Sequence, residues 1–161
     1  MKQNEFKGTI LVVDDDKDVG DFLVYALEKF GHRPIAVYGG RDAVAAMEKK
    51  AFDIVITDLV MPDIDGLGVL RAANRIKQKP TVLMISGFST IKAAVEAIRQ
   101  GAYDFIPKPL HVHKLNDIIQ RAMTRQQLVS RIESQKSKAS ALSLSLPVWL
   151  MLGVALALAV G

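Results

Sequence analysis

The chain has 161 residues, room for one ordinary domain with a modest surplus. Half of it is hydrophobic, enough to bury a core, and it has no cysteine, which excludes a disulfide framework and a thiolate metal site. The net charge of +4 is uneven: residues 1–106 carry 14 Lys/Arg against 15 Asp/Glu, and residues 107–161 carry 7 against 2.

Met1 to Gly8 is polar, and the first apolar run is short and ends in three aspartates, unlike a secretory leader. That run, Thr9 to Val13, predicts a buried strand. Asp14, Asp15 and Asp16 follow it. Adjacent carboxylates repel one another unless a cation relieves them, so one is expected to cap the next helix and two to face a metal ion. Val19, Phe22, Leu23, Ala26, Leu27 and Phe30 recur at helical spacing, and Gly31 suits the position just past the helix end. Pro34 to Tyr38 predicts the second strand, Gly39-Gly40 a turn, and Ala43, Val44, Met47 and Ala51 the inner face of a second helix.

Phe52 to Gly66 is the most informative stretch. Asp53 to Thr57 reads as a strand buried on both faces that runs into Asp58, followed by a turn-rich loop, Met61-Pro62-Asp63-Ile64-Asp65-Gly66. A third helix is expected over Gly66 to Ile76, packing Leu67, Leu70, Ala73 and Ile76. Pro80 to Ile85 predicts a fourth strand ending in Ser86-Gly87, and Thr90 to Gln100 a fourth helix through Ile91, Ala94, Val95 and Ile98. Tyr103 to Ile106 predicts a fifth strand closed by Pro107-Lys108-Pro109, with a fifth helix from about His113. Alternation of this kind gives an α/β fold with a parallel five-stranded sheet and helices on both faces.

Such a sheet gathers the strand ends on one rim, where open α/β sheets place their chemistry. Asp14, Asp15, Asp58, Ser86 and Lys108 converge there. Three carboxylates suit Mg²⁺, a hard cation that prefers oxygen ligands. An ionised Asp58 beside it is a nucleophile for phosphorus, and Lys108 and Ser86 supply a charge and a hydroxyl to the transferred oxygens. The chemistry indicated is formation of an aspartyl phosphate.

Four segments, ILVVDDD, DIVITDLVMPDIDG, LMISG and GAYDFIPKP, in this order and spacing, resemble the receiver domains of two-component response regulators over residues 8–124. The resemblance is to a single receiver of the chemotaxis-regulator kind. It implies a doubly wound, flavodoxin-like (βα)5 fold. It implies Asp58 as the phosphoacceptor, Asp14 and Asp15 as the acidic pair that positions Mg²⁺, and the Val60 backbone carbonyl as a further ligand. It also implies Ser86 as the switch hydroxyl, Lys108 as the lysine of the site with a cis bond to Pro109, and Phe105 as the aromatic switch. The implied donor is a sensor histidine kinase or a histidine phosphotransfer protein. The implied readout is a protein surface on the fourth helix, fifth strand and fifth helix, which is also a candidate homodimer face. Val60 and Phe88 are apolar where water would approach the acyl phosphate, so slow self-dephosphorylation is expected. His111 and His113 read as the start of the fifth helix rather than metal ligands.

The remainder divides into a helical extension and linker, residues 125–138, and an uncharged tail, residues 139–161. Leu115, Ile118, Ala122, Arg125, Val129 and Ile132 form a weak coiled-coil seam, an alternative dimer contact. Ser134 to Ser140 reads as a linker. The nineteen residues from Leu142 to Val160 are long enough to span a bilayer, with Arg131, Lys136 and Lys138 on the cytoplasmic side. Trp149 lies deep for an interface anchor, and Gly153, Ala157 and Gly161 form a small-residue row. The expectation is a receiver facing the cytoplasm and held to the inner membrane by its tail; a terminal extension or a truncated chain are the alternatives. No nucleic-acid partner is expected, since the basic residues are few and lead into an apolar tail. Two alternatives remain: a phosphatase with an aspartyl nucleophile, which would want a second Asp where Val60 stands, and a membrane scaffold with a vestigial receiver.

Overall fold

The computed structural model describes residues 6–158 apart from 88 and 89, with side chains described as far as Ala141. The elements alternate: β1 (Thr9–Val13), α1 (Lys17–Lys29), β2 (Arg33–Val37), α2 (Gly40–Lys49), β3 (Ile54–Asp58), α3 (Gly66–Ala73), β4 (Thr81–Ser86), α4 (Ile91–Arg99), β5 (Asp104–Pro107) and α5 (Val112–Leu158). The five strands form one parallel sheet in the order β2-β1-β3-β4-β5. This is the flavodoxin-like (βα)5 arrangement expected from the sequence. The chain divides into two compact units, Met1–Met123 and Thr124–Gly161.

Successive strand residues point to opposite faces, and both faces are covered. On one, Ile10, Val12, Ile54, Ile56, Leu83 and Ile85 meet Leu23 and Leu27 of α1 and Leu115 and Ile119 of α5. On the other, Leu11, Val13, Val55, Val82 and Met84 meet Ala43 and Met47 of α2, Val69 and Leu70 of α3, and Ala97 of α4. Uninterrupted apolar runs in β1, β3 and β4 therefore follow from burial on two sides. The central strands do not slip, because one step of register would exchange the two cores.

Polar contacts tie the end of the sheet remote from Asp58 to α5. The buried His32 accepts from the Gly8 N–H through Nδ1 and donates from Nε2 to Asn116 Oδ1 at 2.9 Å. Gln120 bonds the backbone of Phe6 through both its amide atoms.

Several expectations need correction. Phe22 is 50% exposed, because α1 lies on the sheet through Leu23, Ala26 and Leu27, and Phe22 falls beside that stripe with Tyr25. Ala51 is exposed beyond the end of α2. In α4 the apolar stripe faces outward: Ile91 is 86% exposed, Val95 and Ile98 are about half exposed, and the small Ala97 makes the buried contact. Periodicity identifies a stripe but not the side on which the sheet lies. The Ser- and Lys-rich stretch expected as a linker lies within α5. It contains neither Gly nor Pro, and Ser134 and Ser140 bond back to the carbonyls of Arg131 and Lys136. Among the described residues no helix is long and apolar enough to cross a membrane. The side chains from Leu142 onward, with Trp149, Gly153, Ala157 and Gly161, lie outside the described residues, as does Phe88.

Leu83 is fully buried in the middle of β4, where the sheet leaves little room to collapse. Leu83→Ala is expected to cost about 2–5 kcal/mol. Urea unfolding with an unchanged slope checks this.

Candidate functional site

Parallel register delivers the site residues to one rim. Val13 is level with Thr57, Asp58 with Ile85, and Ser86 with Pro107, so Asp14, Asp58, Ser86 and Lys108 emerge side by side. The backbone closes the rim: Leu59 N–H donates to Ile85 O at 3.0 Å, and Lys108 N–H to Ser86 O at 2.9 Å. The Lys108-Pro109 peptide is cis. Asp14, Asp58 and Ser86 are buried, and Asp15 is exposed.

Lys108 holds the two buried carboxylates together. Its Nζ lies 2.9 Å from Asp14 Oδ2 and 3.2 Å from Asp58 Oδ1. The second contact is an ion pair without hydrogen-bond geometry, so Asp58 Oδ1 is buried with no hydrogen-bond partner among the described residues. Asp58 Oδ2 accepts from the Val60 N–H at 3.2 Å. Asp14 Oδ1 accepts from the Asp16 N–H at 3.0 Å. Asp16 itself caps α1, accepting from Asp18 and Val19, which leaves Asp14 and Asp15 for the rim.

One oxygen from each of Asp14, Asp15 and Asp58 lies within 4.8 Å of the others. Three hard oxygen donors, one of them buried and without a donor of its own, fit Mg²⁺. Phe105 is half-buried against the α2/α3/α4 core, level with Met84 of β4. Tyr103 is half-buried, and His111 and His113 are exposed. His113 packs edge-on against Phe30, the residue just past α1. The Val60 side chain is 53% exposed.

Two features of the site have no signature in the sequence. The Val60 N–H that holds Asp58 is a backbone group without a residue signature. Gly66 reads as a mere helix start, yet a β-carbon there would overlap the Asp58 carbonyl oxygen and stand 2.7 Å from Met84 Sδ. The start of α3 thus lies directly against the end of β3.

Burial pushes the Asp58 carboxyl above the ordinary aspartate range, Lys108 and the Val60 N–H counteract part of this, and Asp14 adds repulsion. For Lys108, burial disfavours the cation, but Asp14 and Asp58 outweigh it and hold its pKa above the usual lysine value.

A raised carboxyl pKa in the folded state means that ionised Asp58 works against folding. The penalty is fully present above the folded pKa and absent below the unfolded value. In Mg²⁺-free buffer Asp58→Asn is therefore expected to be more stable than the parent at neutral pH. The gain should shrink as pH falls through the raised Asp58 pKa, and thermal melts across pH 3–8 check it.

A buried carboxylate pair bridged by lysine, with a third carboxylate beside it, at the rim of a (βα)5 sheet defines a class of phosphoacceptor signalling domains, and comparison with known proteins agrees. The family model for the response regulator receiver domain matches residues 10–120. The chain belongs to that family and is a receiver domain of the two-component response regulators. It is 34% identical over 114 residues to the transcriptional regulatory protein ZraR of Salmonella typhimurium, covering 71% of this chain and 26% of ZraR. It is 35% identical over 120 residues to the DNA-binding transcriptional regulator NtrC of Proteus hauseri, covering 73% and 25%. Among solved structures, NtrX of Brucella abortus superposes with a TM-score of 0.75 at 33% identity, covering 81% of this chain and 30% of that one. A receiver domain protein of Clostridium thermocellum superposes at 0.71 with 26% identity, covering 75% and 98%. The match thus spans about a quarter of the curated regulators.

Proposed function

We propose that this receiver accepts a phosphoryl group on Asp58 from a phosphohistidine donor, a sensor histidine kinase or a histidine phosphotransfer protein. The observation that carries the reading is the buried Asp58 Oδ1, without a hydrogen bond, beside Lys108 and within reach of Asp14 and Asp15. An Asp58 oxygen attacks phosphorus, an O–P bond forms and the N–P bond of the donor breaks. The electron pair leaves with the imidazole, which takes up a proton. Mg²⁺ supplies charge neutralisation when bound. Asp14, Asp15 and Asp58 would hold it, with the Val60 carbonyl as a further ligand. Lys108 stands where a new phosphoryl oxygen would take over its charge from Asp58, and Ser86 donates a hydrogen bond to another.

Asp58→Asn is expected to abolish labelling by a small-molecule phosphodonor with Mg²⁺. Full labelling of that variant would refute the assignment.

Relocation of Lys108 and Ser86 couples the phosphoryl group to β4, β5 and Phe105, and so to the surface of α4, β5 and the start of α5. Exposed Ile91, Val95 and Ile98 make that surface suited to a protein partner or a second copy of the chain. Of the seam expected along α5, Leu115, Ile118 and Ala122 are buried in the receiver core, which leaves Val129 and Ile132, about half exposed beside Leu128, as a second homodimer contact. The names of ZraR and NtrC favour transcriptional output as a second reading. This chain's own basic residues are few and lead into an apolar tail, and in that second reading DNA is a partner of the regulators that such receivers serve. No observation favours the phosphatase alternative.

In this reading residues 1–124 are the receiver, 125–138 a helical extension and 139–161 a tail that anchors it on the cytoplasmic side of the inner membrane. The tail reading rests on the sequence alone. A chain ending at Lys138 should leave the membrane pellet on alkaline washing while the full chain stays; equal solubility of both would end it.

Val60 presents an apolar side chain two residues from Asp58 and cannot orient a water. The aspartyl phosphate is therefore expected to persist for many minutes at neutral pH, and Val60→Glu or Val60→Asn to shorten it. Decay of radiolabel checks this; a parent half-life of seconds would contradict it.

A further inference from the structure

We propose that Gly40, on the neighbouring helix α2, is a positioning residue for the Asp58 site. It acts by leaving room for the backbone of the β3–α3 loop. The inference rests on the reading of Asp58 as the phosphoacceptor.

Residues 59–65 connect Asp58 to α3. The loop is closed on itself by the Gly66 N–H, which donates to Leu59 O at 2.9 Å. Its far end is fixed by Asp65, which caps α3 by accepting from the Gly68 N–H at 2.7 Å. Its near end supplies the Val60 N–H that holds Asp58 Oδ2. Between them Met61 is buried, Ile64 packs against the α2/α3/α4 core, and Asp63 takes a left-handed φ of 64°. A loop held at both ends has little freedom to yield in the middle.

Gly40 meets that middle. A β-carbon on it would overlap the Ile64 carbonyl oxygen, 2.8 Å from Ile64 Cβ and 2.9 Å from the carbonyl carbon. Two of these three atoms are backbone, so no side-chain rotation relieves the overlap. The backbone of Gly40 is not left-handed, and it opens α2, where alanine is the better helix former. Glycine is therefore required by space, not by conformation. Gly39, one residue earlier, has an extended backbone and nothing within 4 Å of a β-carbon. The two adjacent glycines form a natural pair of test and control.

Pushing Ile64 away from α2 shifts the loop that places the Val60 peptide against Asp58. The carboxylate then loses the support that aims it, and the oxygen cluster with Asp14 and Asp15 loosens. Gly40→Ala should weaken Mg²⁺ binding, read by calorimetry on the unphosphorylated protein, by about tenfold, the scale usual for lost outer support. Labelling by a small-molecule phosphodonor should need correspondingly more Mg²⁺. Gly39→Ala should match the parent in both.

A Gly40→Ala protein with parental circular dichroism and parental Mg²⁺ affinity overturns the proposal. If that variant does not fold, the parent decides. In a ¹⁵N NMR titration with Mg²⁺, the amide signals of Gly40 and Ile64 should move together with Val60. A Gly40 signal that stays still while Val60 moves overturns the proposal. A parent that neither binds Mg²⁺ nor accepts label overturns the phosphoacceptor reading itself. Parent and Gly39→Ala labelled normally, with Gly40→Ala equal to them, overturn the Gly40 role alone.

Discussion

Lys108 between Asp14 and Asp58 is the contact on which the rim depends. Two buried carboxylates on adjacent strands are mutually repulsive, and burial disfavours the charge on each. One ammonium, 2.9 Å from the first and 3.2 Å from the second, relieves both. The relief is partial, since Asp58 keeps a raised pKa and a buried oxygen without a hydrogen bond. The rim is thus stable enough to fold around and polarised enough to attract a further cation. Desolvation of both partners offsets much of the attraction in a buried pair, so the contact adds little net stability.

The fold exists to produce that arrangement. The parallel register brings Asp14, Asp58, Ser86 and Lys108 out at one level, and the two apolar cores lock the register. The opposite end of the sheet is held by different means. His32, Asn116, Gln120 and the backbone of residues 6 and 8 fasten the first turns of α5 there by hydrogen bonds. The outer side of α4 is built differently again: the helix contributes Ala97 to the buried core and leaves Ile91, Val95 and Ile98 exposed.

Much of this is legible in the sequence because a two-sided strand leaves an unbroken apolar run that stops abruptly. Val13-Asp14, Thr57-Asp58 and Ile85-Ser86 mark such stops, and β2, β3, β4 and β5 each lie within one residue of expectation. Helix orientation was harder to read. Phe22 and Ile91 share the spacing of core residues, but α1 meets the sheet through Leu23 and Leu27 on the adjoining side, and α4 through Ala97, whose small side chain carries a weaker hydrophobic signal. The Ser- and Lys-rich part of α5 has the polar composition of a linker, although nothing in it breaks a helix. Backbone groups such as the Val60 N–H, and the space beside Gly40, have no composition at all. They become visible only once strands and helices stand next to one another.

The most direct measurement is the chemical location of the phosphoryl group. The chain would be phosphorylated with a small-molecule donor and Mg²⁺, the acyl phosphate reduced with borohydride, and the digested peptides mapped by mass spectrometry. The account predicts conversion of Asp58 alone, in the peptide that contains the β3 strand. Modification at Asp14 or Asp15 with Asp58 intact, or a phosphoryl group on a histidine, would contradict it.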